Sequence, residues 1–263
     1  MYVGMRVSAM RKKGFTLVEL LVVIAIISML MAILLPSLNR TREQSRSICC
    51  LNNLRQMAMS AQMYAHSNND YFPMATVMEI NGSLRKSCAW DFTTVYDSGG
   101  RRVEPGLLWQ GQTIEKIHQC PSFKGAANWA DDPYTGYNYN ASYIAGRAAV
   151  KDGCVVAGSV VMSSRISEVR KPDRCALFGD GQWAGGANKF MRSPFSGKLD
   201  EGFFGRYAGT QGYRHLGKTN VAWCDGSVGW VRDCFTETHP AEKKNIAPGT
   251  GFLSPDNSTY DLE

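Results

Sequence analysis

Residues Gly14 to Pro36 read GFTLVELLVVIAIISMLMAILLP, and the rest of the chain is organised around this stretch. From Phe15 through Leu35 there are 21 residues, and only Thr16, Glu19 and Ser28 are polar. At about 1.5 Å per residue, a helix of that length spans about 30 Å, the hydrocarbon thickness of a bilayer. A helix buried in a soluble domain rarely runs so long and so apolar this close to an N-terminus, so the expected element is a membrane span. Glu19 is its anomaly. A carboxylate near the start of an apolar helix costs a few kcal/mol unless it is neutralised or paired. No Lys, Arg or His lies between Phe15 and Leu35. A partner cation must therefore come from another molecule, or from a new N-terminal amine made by cutting the chain.

The flanks set the topology. Arg6, Arg11, Lys12 and Lys13 precede the span and no acid accompanies them. By the positive-inside rule that end stays in the cytoplasm and everything after Pro36 lies outside. A cleaved secretory signal is a poor fit, because its apolar core would be shorter and would end in small residues. Of the net charge of +6, four units belong to this leader, leaving 25 basic against 23 acidic residues elsewhere. That balance gives no nucleic-acid footprint.

Lys13-Gly14-Phe15-Thr16-Leu17-Val18-Glu19 resembles the processing site of type IV prepilins and type II secretion pseudopilins. The resemblance implies cleavage after Gly14, N-methylation of Phe15, and Glu19 as the residue that neutralises the N-terminal amine of an adjacent subunit. It implies as partners a prepilin peptidase/methyltransferase, copies of the chain or related pseudopilins in a filament, an assembly platform and a cytoplasmic ATPase. The implied location is a bacterial inner membrane, with a periplasmic head that can enter an extracytoplasmic filament. The alternative from another class is a membrane-anchored periplasmic binding module, for carbohydrate or another surface ligand, that does not polymerise.

Beyond Pro36, Leu38, Ile48, Leu51, Leu54, Ala58, Ala61 and Ala65 recur near helical spacing. Ser67-Asn68-Asn69-Asp70 followed by Pro73 forms a stop signal. One helix is expected from Phe15 to about His66, with Pro36 removing a backbone donor and bending it at the membrane face. The expected fold is α+β, a long N-terminal helix packed under a β-rich antiparallel head. Its divisions are a leader at 1–14, a transmembrane segment at 15–36, an exterior half-helix at 37–66, a head at 67–246 and a flexible tail at 247–263. Abundant glycine (26) and short apolar runs between Gly, Pro, Asn and Asp clusters support the β-rich head. Val155 to Met162 and Cys175 to Phe178 read as strands. Val221 to Cys224 and Ser227 to Val231 read as a hairpin with a type I′ turn at Asp225-Gly226.

All eight cysteines (49, 50, 88, 120, 154, 175, 224 and 234) follow the span. Disulfides persist in a periplasm, and spacing alone leaves the pairing open. Cys50 and Cys120-Pro121-Ser122 match positions of a large group of bacterial prepilin-like proteins, and this resemblance implies a Cys50–Cys120 disulfide, with adjacent Cys49 as competitor. No C-x-x-C pair and no closely spaced histidine pair is present, so neither a metal nor a cofactor is expected. Acidic clusters such as Asp131-Asp132 show no calcium-site spacing.

Gly212 to Thr219 fits the phosphate-loop pattern G-x4-G-K-[ST], but the following residues read as a strand where that loop needs a helix. His215, nine residues, then Asp225-Gly226 instead resembles the C-terminal His-x9-Asp-Gly signature of the same prepilin-like group. Tyr137-Asn138 and Asp180-Gly181 sit where such proteins carry related elements. Taken alone, Asp225 and Gly226 are turn chemistry and His215 a hydrogen-bonded anchor of the hairpin. A tethered enzyme using His215 and Asp225 would need a third group, and no catalytic residue is expected.

Overall fold

The computed structural model describes residues 15–109, 116–127, 132–200 and 209–263. The leader and Gly14 lie outside these, as does Asp131. The chain forms two compact units, Met1–Arg42 and Glu43–Glu263. One helix, α1 (Leu17–Ser67), supplies the described part of the first and the opening of the second.

In the first unit every described side chain from Phe15 to Arg42 is exposed, including the whole apolar run. By length and composition this helix can cross a membrane. Its start is closed by a capping box. Thr16 Oγ1 accepts from the Glu19 N–H (3.2 Å), and Glu19 Oε2 accepts from the Thr16 N–H and hydroxyl, both at 2.8 Å. Ser28 turns its hydroxyl back to the Ile24 carbonyl at 2.7 Å, so its polar group is satisfied within the helix. Pro36 lies inside α1, which continues on both sides of it.

In the second unit α1 buries Cys50, Leu54, Met57, Ala58, Ala61 and Ala65. Spacings of three and four make these one face. The face is rotated from the expected one: Ile48 is exposed and Leu51 half-buried, while Cys50 and Met57 take the inward positions. Small alanines at 58, 61 and 65 let the head approach closely. Each large apolar side chain buried here contributes about 1.5–3 kcal/mol.

The head holds two main sheets. The first runs β4-β3-β2-β1-β6-β7, from strands β1 (Thr76–Asn81), β2 (Leu84–Ala89), β3 (Phe92–Asp97), β4 (Gly100–Pro105), β6 (Arg147–Lys151) and β7 (Cys154–Val155). The second runs β12-β11-β8-β5-β9, from β5 (Asn138–Asn140), β8 (Ala176–Gly179), β9 (Phe190–Met191), β11 (Thr219–Trp223) and β12 (Val228–Val231). A two-stranded ribbon joins β10 (Gln211–Gly212) to β13 (Thr250–Gly251). Pairing is antiparallel except for β1–β6 and β5–β9. The second sheet is covered on both faces. Ala222 and Phe178 pack with the α1 face and with Trp90 and Tyr139, whereas Ala176 and Val221 pack with Phe252, Leu253 and Tyr260. A stack of Tyr139 on Phe178, 4.7 Å between centroids, lies in the first of these clusters.

Three expectations change. Of the segment Val155 to Met162 only Val155 lies in a strand, the end of β7 paired with Val150; the rest is turn and irregular backbone with mostly exposed side chains, apart from the bridge of Val161 to Arg147. The β11–β12 hairpin forms, but its turn is not type I′. Only Gly226 has positive φ (+86°), the Gly226 N–H returns to the Trp223 carbonyl, and Asp225 caps the Ser227 N–H at 2.8 Å. This is the three-residue loop with a glycine bulge. The flexible tail expected over 247–263 is instead packed: it contributes β13, and Phe252 and Tyr260 are fully buried in the second cluster. Its Gly, Pro, Asn and Ser residues serve turns that the Tyr260 hydroxyl locks by accepting the Leu253 N–H.

Candidate functional site

Two places carry chemistry. In the first unit Phe15 is exposed at the foot of α1, and Glu19 is the acid of the helix's first turn. The Glu19 carboxylate is already solvated by its own Thr16, which lowers the cost of holding it in an apolar surround.

In the second unit a buried polar cluster forms where four segments meet. Glu43, Ser47 and Cys50 share one face of α1, being four and three residues apart. Cys120 follows a short 3-10 turn (Lys116–His118), Asp180 follows β8, and Arg214 and His215 lie in the loop between β10 and β11. The Cys50 thiol donates to Asp180 Oδ1 at 3.1 Å. His215 Nε2 lies 3.3 Å from Asp180 Oδ2 and 3.7 Å from Cys120 Sγ. Arg214 donates from Nε to Cys120 Sγ and from Nη2 to Asp180 Oδ1, both at 3.2 Å. The side chains of His215 and Asp180 are wholly inaccessible.

An outer ring holds these groups. Nδ1 of His215 lies 2.8 Å from Glu43 Oε1, which also accepts from the Ser122 hydroxyl. The Asn220 N–H donates to Asp180 Oδ2 at 2.8 Å, while the Asn220 side chain meets Ser47. Arg214 packs over the Phe123 ring at 5.1 Å and donates to the Gly136 carbonyl.

The electrostatics follow from this packing. Burial pulls the His215 imidazole down, but its contacts with Asp180 and Cys120 outweigh burial and push it up to about 10. Burial opposes the Asp180 charge, yet Arg214 and His215 hold its carboxyl below the usual range. Contact with Cys50 outweighs burial at Cys120, and Arg214 and His215 add to it, drawing that thiol down. Cys50 goes the other way: burial, Cys120 and the Asp180 charge push its thiol well up.

The structure thus brings His215, Cys50 and Cys120 together, the last two as free thiols. It keeps Asp225 and Gly226 apart from them: Asp225 is exposed and spent on the hairpin turn, so it is no partner for His215. The elements at Tyr137-Asn138 and Asp180-Gly181 do adjoin, through the Gly181 N–H to Gly136 carbonyl bond and the Asn138–Gly179 pair. Asp180, Arg214 and Glu43 had no role assigned by the sequence. The signal for Glu43 was available: three polar positions at 43, 47 and 50 on one stripe of a helix whose next turns are apolar. The phosphate-loop match fails in space as well, since Thr219 opens β11 rather than a helix. Asp132 is committed elsewhere, to Lys189 at 2.9 Å.

The family described as the prokaryotic N-terminal methylation motif matches residues 9–35. The chain is 42% identical over 59 residues to the type IV wide pilus major component PilA4 of Thermus thermophilus, a match covering 22% of this chain and 45% of that relative. The match therefore spans less than half of that pilin's length. No solved structure matches. The chain carries a prepilin-type N-terminal methylation segment and is homologous, over part of its length, to a type IV pilin.

Proposed function

We propose that this protein is a pilin or pseudopilin subunit, a structural building block anchored in the membrane by the first part of α1. The methylation motif over residues 9–35, laid on a helix whose apolar side chains are exposed from Phe15 to Leu38, carries this reading. Those side chains need lipid or another helix to cover them. In the proposed sequence the basic leader holds the N-terminus inside, and a prepilin peptidase cuts between Gly14 and Phe15 and methylates the new amine. Glu19 then exchanges its Thr16 donors for the amine of a neighbouring subunit. A Coulomb pair at that depth is screened little, so it can register subunits where apolar packing alone is indifferent to sliding. Pro36 leaves the Ala32 carbonyl without a helical donor and gives the helix a place to bend during assembly.

Mass spectrometry of the N-terminus of protein from native membranes tests the first step. The expected mature chain begins at N-methylated Phe15. An intact chain that retains residues 1–14 overturns the reading.

A further inference from the structure

The head holds a set of donors that the filament reading leaves unused. One ligand atom each of Cys50, Cys120, Asp180 and His215 lies within 4.8 Å of the other three, and all four residues are buried. From this geometry we infer that the head binds one zinc ion through Cys50 Sγ, Cys120 Sγ, His215 Nε2 and an Asp180 carboxylate oxygen.

Four observations point to that ion. First, the donor set is right: two thiolates, an imidazole and a carboxylate suit a soft-to-borderline divalent ion and not calcium or magnesium. Second, the spacing is close to what zinc needs. A tetrahedral zinc with ordinary bond lengths has ligand–ligand edges of roughly 3.3–3.8 Å. Cys120 Sγ lies 3.7 Å from His215 Nε2, which lies 3.3 Å from Asp180 Oδ2, and Cys50 Sγ lies 3.1 Å from Asp180 Oδ1, a hydrogen bond that lengthens when the thiol gives up its proton to the ion. Third, Glu43 accepts from Nδ1 of His215, which leaves Nε2 to face the three other donors. A carboxylate behind a metal-bound histidine fixes the tautomer that coordination needs. Fourth, the charges close. Two thiolates and the Asp180 and Glu43 carboxylates are offset by a divalent ion, the buried Arg214 guanidinium beside Asp180 and Arg46, 3.5 Å from Glu43. With four protein ligands and no accessible face on His215 or Asp180, the site is of the closed, structural kind.

Such an ion would clamp α1 to the loop after residue 118, the end of β8 and the loop before β11. It competes with the Cys50–Cys120 disulfide that the prepilin-like resemblance implies, since the same sulfurs cannot do both.

The test uses the full-length chain in detergent, purified with a non-chelating phosphine reductant, and zinc as the probe. Elemental analysis should give one zinc per chain. Zinc should protect two thiols from alkylation, identified as Cys50 and Cys120 by peptide mapping, until a chelator exposes them. Cobalt substitution should give the thiolate charge-transfer and tetrahedral d–d bands. Asp180→Ala and His215→Ala should lose the metal. Should they fail to fold, alkylation mapping and cobalt spectra on the unsubstituted chain still decide. A reduced, folded chain that takes up no zinc overturns the inference, as does a Cys50–Cys120 disulfide that persists in the native protein and, once reduced, leaves a dithiol without zinc affinity.

Discussion

Glu43 Oε1 stands 2.8 Å from Nδ1 of His215, linking α1 to a loop 172 residues further along the chain. This contact explains why a histidine in the His-x9-Asp-Gly signature is buried while its aspartate is not. The histidine faces the helix; the aspartate shapes the turn that follows.

Replacing Glu43 should therefore be felt at His215. Glu43→Ala leaves the imidazole N–H and the Ser122 hydroxyl without their acceptor, at an expected cost of about 1–3 kcal/mol in unfolding free energy. Glu43→Gln keeps an acceptor and should lose less. At the proposed zinc site both variants should also bind the ion about 10–100-fold more weakly, as changes behind a metal-bound histidine do. Chemical denaturation and competitive zinc titration read the two effects separately.

Lys189 is the centre of a second buried network. Its ammonium contacts Asp91 and Asp132, both at 2.9 Å, and its carbonyl accepts from the Trp90 indole. Lys189→Met would leave two carboxylates buried without their cation, so a loss of about 3–5 kcal/mol is expected. Denaturant unfolding should show a lower midpoint, and a variant within about 1 kcal/mol of the parent would show that the carboxylates find other partners.

Gly226 is the one residue of the β11–β12 loop at positive φ. An alanine there would be strained by about 1–2 kcal/mol, and its Cβ would press on the Gln62 amide at 3.2 Å. Because Gln62 donates to the Cys224 carbonyl, the strain should reach the contact between α1 and the hairpin. Hydrogen exchange of the hairpin amides should accelerate in Gly226→Ala. The Asp225→Asn change, which keeps an acceptor for Ser227, should not have this effect.

Asp70 offers a pH signature outside the membrane segment. Its carboxylate accepts from the Ser167 hydroxyl at 2.6 Å and from the Ser167 N–H at 3.1 Å, and these bonds hold it below the usual aspartate range. A carboxyl lowered on folding adds stability above its unfolded value, and that increment disappears as pH falls through the folded value. Ser167→Ala should move Asp70 back toward the ordinary range and flatten that part of the acid limb. Carboxyl carbon NMR across the acid range would show the change.

Glu19→Ala separates processing from assembly. Leader removal should persist, since the Gly14-Phe15 junction is untouched, while incorporation into filaments should fall. Immunoblots of the processed chain and of sheared surface fractions measure both. Normal incorporation would mean that the charge pair is dispensable.

The long helix was legible because its signal is local: an apolar run of bilayer length, then a 3.6-residue period, then a stop. The β11–β12 hairpin was legible for the same reason, through Asp225-Gly226 between apolar runs. The first sheet was not. Strands such as Leu84–Ala89 and Gly100–Pro105 are rich in Arg and Lys, and their pairing is decided by neighbours rather than by alternation. The helix face was misplaced by a fraction of a turn because the head, not the helix, decides which residues it covers. The donor cluster was invisible to spacing rules. Cys50 and Asp180 are 130 positions apart, and a metal motif written as a short repeat cannot register donors that only the folded head brings together.

On the proposed function, the capping box at the start of α1 has a consequence for the life of an unassembled subunit. Glu19 brings its own donors, two contacts from Thr16, so its carboxyl oxygens have partners before any neighbouring subunit arrives. Because those contacts are short-range and individually worth about 1 kcal/mol, a full positive charge arriving at the same depth outbids them. A precursor pool would thereby be kept idle yet primed, the same side chain serving first as its own chaperone and later as a latch.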